Sequence, residues 1–204
     1  MPAPQKFVVA GKAGTLEGVA HLPDEAPRAI AVVAHPLPTM GGTMENKVVT
    51  TLAKTFVELG FAALRFNFRG TGNSAGEFDE GNGEVEDVRA VVHHARREYG
   101  ELPLVLAGFS FGGYVQARAA QHLHPKRLVL IAPAVGRFAM PHVPQDTLLI
   151  HGEQDEVIPL GEALLWARAQ HLPIVVVPGT EHFFHGRLHL VKQLVLKDFN
   201  GIPL

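Results

Sequence analysis

From residue 29 onward the chain alternates short apolar runs with stretches of helical period, and that alternation leaves few architectures open. Residues 29–35, 61–67, 104–109, 127–132, 147–151 and 174–177 read as strands. Between and after them, residues 46–59, 84–99, 111–122, 160–170 and 188–199 read as helices. In the second helix Val85, Val88, Val92, Ala95 and Tyr99 recur at three- and four-residue steps, the spacing of one helical face. Gly60 and Gly100 stand where the first two helices should stop. Strands that alternate with helices predict a largely parallel sheet covered by helices. The opening differs: residues 7–10 and 15–22, joined by Gly11-Lys12-Ala13-Gly14, read as a hairpin. The expected fold is therefore α/β, with about eight strands, the first two antiparallel and the rest parallel.

With 204 residues the chain suffices for one domain, 1–204, and no repeat or linker divides it. Its net charge of -2 creates no field that would favour nucleic acid or an acidic membrane. The absence of cysteine excludes disulfides, thiolate metal sites and a cysteine nucleophile. Residues Met1-Pro2-Ala3-Pro4-Gln5-Lys6 lack the apolar core of a signal peptide, and no apolar stretch approaches the roughly 18 residues of a membrane span. The expectation is a cytoplasmic protein, monomeric or homodimeric, with no nucleic acid or membrane partner.

A hydrolytic serine needs its hydroxyl exposed on a sharp strand-to-helix turn, with small neighbours that let the backbone bend. The chain has two serines, and both lie in Gly-x-Ser-x-Gly. Gly108-Phe109-Ser110-Phe111-Gly112 follows an apolar strand and precedes a helical pattern. Gly72-Asn73-Ser74-Ala75-Gly76 lies in polar loop with no immediate helix, so Ser74 reads as a turn serine or cap-like donor. The glycines at 70, 72 and 76 are one residue too widely spaced for a dinucleotide fingerprint, and no Walker-type lysine motif is present.

Serine chemistry requires a histidine to take the proton and a carboxylate to orient that histidine. Both should lie in loops at the C-terminal ends of later strands. After strand 147–151 come Glu153, Asp155 and Glu156; after strand 174–177 come His182 and His185. The expected set is Ser110, Asp155 and His182, in the chain order this chemistry shows on an α/β sheet. Glu153 and Glu156 remain rivals for the acid. His185, placed one helical turn further and inside the final helix, is the rival base. Five further histidines, at 93, 94, 122, 124 and 171, read as solvated, and His151 as a donor or acceptor to backbone. His182, His185 and His189 have ligand-like spacing, but no carboxylate or thiolate stands at ligand spacing beside them, and no metal is expected.

The oxyanion of a tetrahedral intermediate needs two N–H donors. One is expected from Phe111, directly after the nucleophile. The other falls in His35-Pro36-Leu37-Pro38-Thr39-Met40-Gly41-Gly42, where the prolines have no N–H to give; Leu37 is the first candidate and Thr39 the second.

Taken together, His35-Pro36-Leu37-Pro38 with Gly41-Gly42 and Asn46-Lys47-Val48, residues 65–74, Gly108 to Gly113, residues 151–159 and residues 179–184 resemble the small bacterial α/β-hydrolase superfamily proteins, close to the dienelactone-hydrolase and esterase branch. The resemblance spans nearly the whole chain. It implies the α/β-hydrolase fold and the Ser-Asp-His triad, and it does not supply a substrate. The reading of the residues is a serine hydrolase of small carboxylic esters, thioesters or lactones, working through an acyl-enzyme with no cofactor. Larger relatives insert a lid after the sixth strand, whereas residues 132–147 leave room only for a short loop. An open site lined by Phe109, Phe138, Met140 and Phe183 is expected as the substrate-binding surface. Peptidase or perhydrolase chemistry on the same triad, and a non-catalytic binding module on the same fold, are the alternatives.

Overall fold

The computed structural model describes residues 2–201. Strands β1 (Gln5–Gly11) and β2 (Gly14–His21) form the expected hairpin. The sheet continues with β3 (Ala29–Ala34), β4 (Phe61–Phe66), β5 (Leu104–Phe109), β6 (Arg127–Ile131), β7 (Leu148–Gly152) and β8 (Val175–Val177). The eight strands lie in the order β1-β2-β4-β3-β5-β6-β7-β8. Strand β2 runs antiparallel to β1 and β4, and every other pairing is parallel. Because β3 pairs with β4 on one side and β5 on the other, the chain winds away from β3 in both directions. That reversal opens a crevice beyond the carboxyl ends of the strands, where sheets of this kind hold ligands.

Among the described residues five helices cover the sheet: α1 (Lys47–Glu58), α2 (Asn82–Tyr99), α3 (Phe111–Leu123), α4 (Leu160–Ala169) and α5 (Leu188–Phe199). The two-residue period of a strand divides the core between two faces. Ile30, Val32 and Ala34 pack with residues of α2, α3 and α4, while Ala29, Ala31 and Val33 pack with residues of α1 and α5. On the second face Phe56 stacks on Phe61 at 5.9 Å and meets the edge of Phe199 at 5.8 Å. No helix or strand lies between β6 and β7 among the described residues, so no lid covers the carboxyl ends of the strands.

Three local expectations are corrected. Helix α2 begins at Asn82 rather than at residue 84, because the Glu84 carboxylate turns back and accepts from the amides of Asp79 and Gly81, both at 2.8 Å. His185 precedes α5 instead of lying inside it, in a turn closed by Gly186 at a φ of 69°. His94 is half-buried and stacks on Phe7 at 4.8 Å, where a solvated ring was expected. Boundaries elsewhere shift by a residue or two, as where a ladder ends at β3 and β6.

The segment 65–83 braces the carboxyl end of β4 against its surroundings. Arg69 and Asp87 form a buried, multiply hydrogen-bonded ion pair, and the Asp87 carboxylate also accepts from the Arg69 amide at 3.0 Å. Ser74 Oγ donates to the Asn67 carbonyl at 2.7 Å and accepts from the Glu17 amide at 3.1 Å, the structural role a turn serine suggests. Removing the ring that joins α1 to β4 and α5 should leave a large cavity. Phe56→Ala is expected to cost about 3–5 kcal/mol of unfolding free energy, read from the urea midpoint at unchanged slope.

Candidate active site

Strand β5 runs straight into α3, and Ser110 occupies the junction at φ 55° and ψ −118°. An L-residue there costs about 1–3 kcal/mol, so the surroundings must impose it. They do so through the backbone: the Ser110 amide donates to Ile131 O at 3.0 Å, and its carbonyl accepts from the amides of Gly113 (2.9 Å), Tyr114 and Ala134 (both 3.2 Å). A Cβ on Gly112 would overlap the Ala34 and His35 carbonyls. Only glycine lets α3 approach the end of β3 so closely.

The β5–α3 junction and the loops after β7 and β8 bring three side chains together. His182 Nδ1 lies 2.7 Å from Asp155 Oδ2, and His182 Nε2 lies 3.1 Å from Ser110 Oγ. Since the carboxylate can only accept, Nδ1 carries the proton and Nε2 is left to accept from the serine hydroxyl. All three residues are buried, at 7% exposure for Ser110, 5% for Asp155 and 3% for His182. The other Asp155 oxygen accepts from the amides of Val157 and Ile158 at 2.9 and 2.7 Å, which fixes the carboxylate plane. The imidazole of His182 contacts two rings, Phe109 at 4.9 Å and Phe183 at 5.1 Å, which also touch each other at 6.0 Å. The rival residues are engaged elsewhere. Glu153 accepts from the Gly179 amide, Glu156 is exposed, and His185 is exposed beside Glu181.

A second buried histidine flanks the acid. His151 Nε2 donates to the Ile158 carbonyl at 2.8 Å, the backbone bond expected of it, and lies 3.4 Å from Asp155 Oδ2. Burial pushes its pKa down, so the ring next to the carboxylate favours the neutral form.

The loop after β3 turns through a 3₁₀ turn, Pro38–Met40, that the sequence reading did not anticipate. His35 controls it. The Phe68 amide donates to His35 Nε2 at 3.0 Å, so the ring proton sits on Nδ1 and is donated to the Pro36 carbonyl at 2.7 Å. In a trans peptide the N–H points opposite to the C=O, so the Leu37 amide faces away from His35. Leu37 lines the same cavity as Ser110, whereas Thr39 is exposed and does not line it. The Phe111 amide opens α3, where a helix offers no acceptor.

That cavity has a volume of about 420 Å³ and is walled by Leu37, Met40, Phe111, Phe138, Val157 and Phe183, with Ser110 and His182 in its surface. Of the anticipated substrate-binding residues, Phe138 and Phe183 line it. Phe109 does not: on β5 its side chain points to the α1 and α5 face, fully buried, and it backs His182 instead. Met140 does not either, being half-buried against the α2 and α3 core. Met40, Arg137 and Glu156 line the cavity and were not anticipated, because they sit in loops whose course no hydrophobic period reveals. Among the described residues no three metal-binding side chains are grouped to hold an ion, and no helix is long and apolar enough to cross a membrane.

A parallel sheet wound from its third strand, with a strained serine at a strand-to-helix turn, defines an α/β hydrolase of the serine type. Residues 25–145 match the family model Hydrolase_4, described as serine aminopeptidase, S33, and the chain belongs to that family. The crystal structure of XC6422 from Xanthomonas campestris, described as an α/β serine hydrolase without a lid, superposes with a TM-score of 0.92 at 38% identity, over 98% of this chain and 95% of that one. An α/β serine hydrolase homologue from Coxiella burnetii gives a TM-score of 0.89 at 37% identity, over 98% and 99% of the two chains. RP471 of Rickettsia prowazekii (strain Madrid E), described as uncharacterized, is 30% identical over 85% of this chain and 79% of its own.

Two stability experiments follow. Ser110→Gly relieves the positive φ and is expected to raise unfolding free energy by about 1 kcal/mol, measured by denaturant titration. Burial lowers the His35 pKa from 6.5 to about 4. As pH falls below 6.5 the unfolded chain takes up a proton that the folded chain refuses, so stability present above that value is lost toward pH 4. The loss should be on the order of 3 kcal/mol. Urea titrations at several pH values should show a shallower loss for His35→Gln than for the wild type.

Proposed function

We propose that the protein hydrolyses small carboxylic esters, thioesters or lactones through an acyl-enzyme on Ser110. The observation that carries this reading is His182 bridging Ser110 Oγ and Asp155 Oδ2 beside an apolar cavity. Ser110 Oγ attacks the carbonyl carbon as its proton passes to His182 Nε2. Asp155 keeps the Nδ1 proton in place and stabilises the imidazolium, without taking that proton. The amides of Phe111 and Leu37 receive the oxyanion, each contributing about 2.7–4 kcal/mol on the scale measured in other hydrolases. When the tetrahedral intermediate collapses, the C–O or C–S bond breaks and His182 returns the proton to the leaving group. Water then attacks the acyl-enzyme, giving its proton to His182, and Ser110 is regenerated with release of the acid. No cofactor takes part in this scheme. The cavity is near the small end of ligand sites, roughly 300–1,000 Å³, which suits short acyl or single-ring substrates.

Amide hydrolysis is the second reading, favoured by the aminopeptidase description of the matching family. Both need the same nucleophile, and turnover of aminoacyl anilides above that of matched esters would select it.

Labelling with a fluorophosphonate probe, with the adduct mapped by mass spectrometry, should modify Ser110 in the wild type and not in His182→Ala. Ester turnover by Ser110→Ala should fall by at least about 10⁴-fold. A folded wild-type protein that takes no label would favour the binding-module alternative, and an adduct on Ser74 would overturn the assignment of the nucleophile.

A further inference from the structure

Two charged side chains stand in the wall of this otherwise apolar cavity, Arg137 and Glu156. Arg137 lies in the short connection between β6 and β7, beside Phe138. Its Nε and Nη2 donate to the Val157 carbonyl at 3.2 and 3.1 Å. Those bonds hold the guanidinium plane in place while leaving both Nη1 hydrogens and one on Nη2 uncommitted. Arg65, Arg69, Arg96 and Arg127 each meet a carboxylate, whereas among the described residues the half-buried Arg118, bonded to Asn82 and Tyr114, and the exposed Arg137 meet none within 4.0 Å. Glu156, exposed on the same wall, forms no ion pair with it.

An apolar site takes its specificity from the few polar groups set into it, and an anchored guanidinium presents a planar pair of donors that matches a carboxylate. Resting on the ester-hydrolase reading, we propose that Arg137 is a specificity-determining residue: it binds a single carboxylate borne by the substrate away from the scissile carbonyl, so the preferred substrates are esters carrying one negative charge. Nη1 and Nη2 grip the two oxygens end-on while Val157 O keeps the plane fixed. Glu156 sets the limit of this preference, since it repels the same anion and opposes a dianionic group such as phosphate twice over. The competing role for Arg137 is that of a latch tying the β6–β7 connection to the loop of Asp155. A latch would affect charged and neutral substrates alike.

The test compares kcat/KM for mono-4-nitrophenyl adipate and for 4-nitrophenyl hexanoate, matched in chain length and differing in the terminal charge. The ratio of the two should fall about tenfold in Arg137→Met, the scale of one partly exposed charge-assisted bond, and the change should appear in KM. Arg137→Lys should retain part of the ratio, Glu156→Gln should raise it, and added salt should narrow it. An unchanged ratio in Arg137→Met, or an equal loss on both substrates, overturns the proposal. Binding is read in parallel by NMR titration with benzoate and benzamide, which requires no turnover. If neither ester is hydrolysed in a Ser110-dependent way, the ester reading fails. The anion site then stands if Arg137→Met weakens benzoate relative to benzamide, and falls if it weakens both equally or neither.

Discussion

Everything at this site is referred to one backbone distortion, the positive φ at Ser110. A serine in that conformation lifts its hydroxyl off the end of β5, but the chain would relax if it were free to do so. It is not free. The Ser110 amide and carbonyl are bonded to the ends of β6 and α3, and β5 and β6 are inner strands of the sheet whose residues are almost wholly buried. Gln116, fully buried on α3, adds a clamp by donating to the carbonyls of Val32 on β3 and Ala107 on β5. The large apolar core thus serves the proposed chemistry indirectly, by holding a few atoms where local preference would not put them.

The surrounding polar groups follow the same logic one step further out. His35 sets the peptide plane of the loop after β3, and its own ring is set by the Phe68 amide and by contact with the Phe68 ring at 4.7 Å. Segment 65–83 therefore reaches the site through Phe68 and through Asn67, whose Oδ1 accepts from the Met44 amide at 2.8 Å. Its own anchorage comes from the Arg69–Asp87 pair and from Ser74. On the opposite side, two amides and two imidazoles surround the Asp155 carboxylate. Polar groups this deeply buried are tolerated because they satisfy one another.

Most of the architecture was legible because it rests on period and punctuation. Apolar runs gave the strands, three- and four-residue steps gave the helices, and the serine context separated Ser110 from Ser74. Asp155 and His182 could be singled out from chain order and strand ends, although nothing in the sequence ruled against Glu153 or His185. Geometry separates them: each rival is drawn off by a neighbouring backbone amide or carboxylate. Cavity walls were less legible. Phe109 looked like a lining residue because it adjoins the nucleophile, yet strand alternation sends it to the face of Val105 and Ala107. Met40 and Arg137 come to the site through a 3₁₀ turn and an irregular connection, whose paths depend on distant partners and carry no periodic signal.

In the proposed mechanism the lidless mouth has a consequence for the fate of the acyl group on Ser110. Met40, 83% exposed, and Phe183, 42% exposed, edge an opening that no helix or strand among the described residues closes. Enzymes that transfer acyl groups to a chosen alcohol must keep solvent away during the second half of the reaction, and a covering element is the usual means. Here bulk water, the most concentrated nucleophile available, would have standing access to the proposed intermediate. Under the proposed mechanism, an open fold of this kind commits the acyl group to release as the free acid, and partition toward a dilute acceptor alcohol is small by construction.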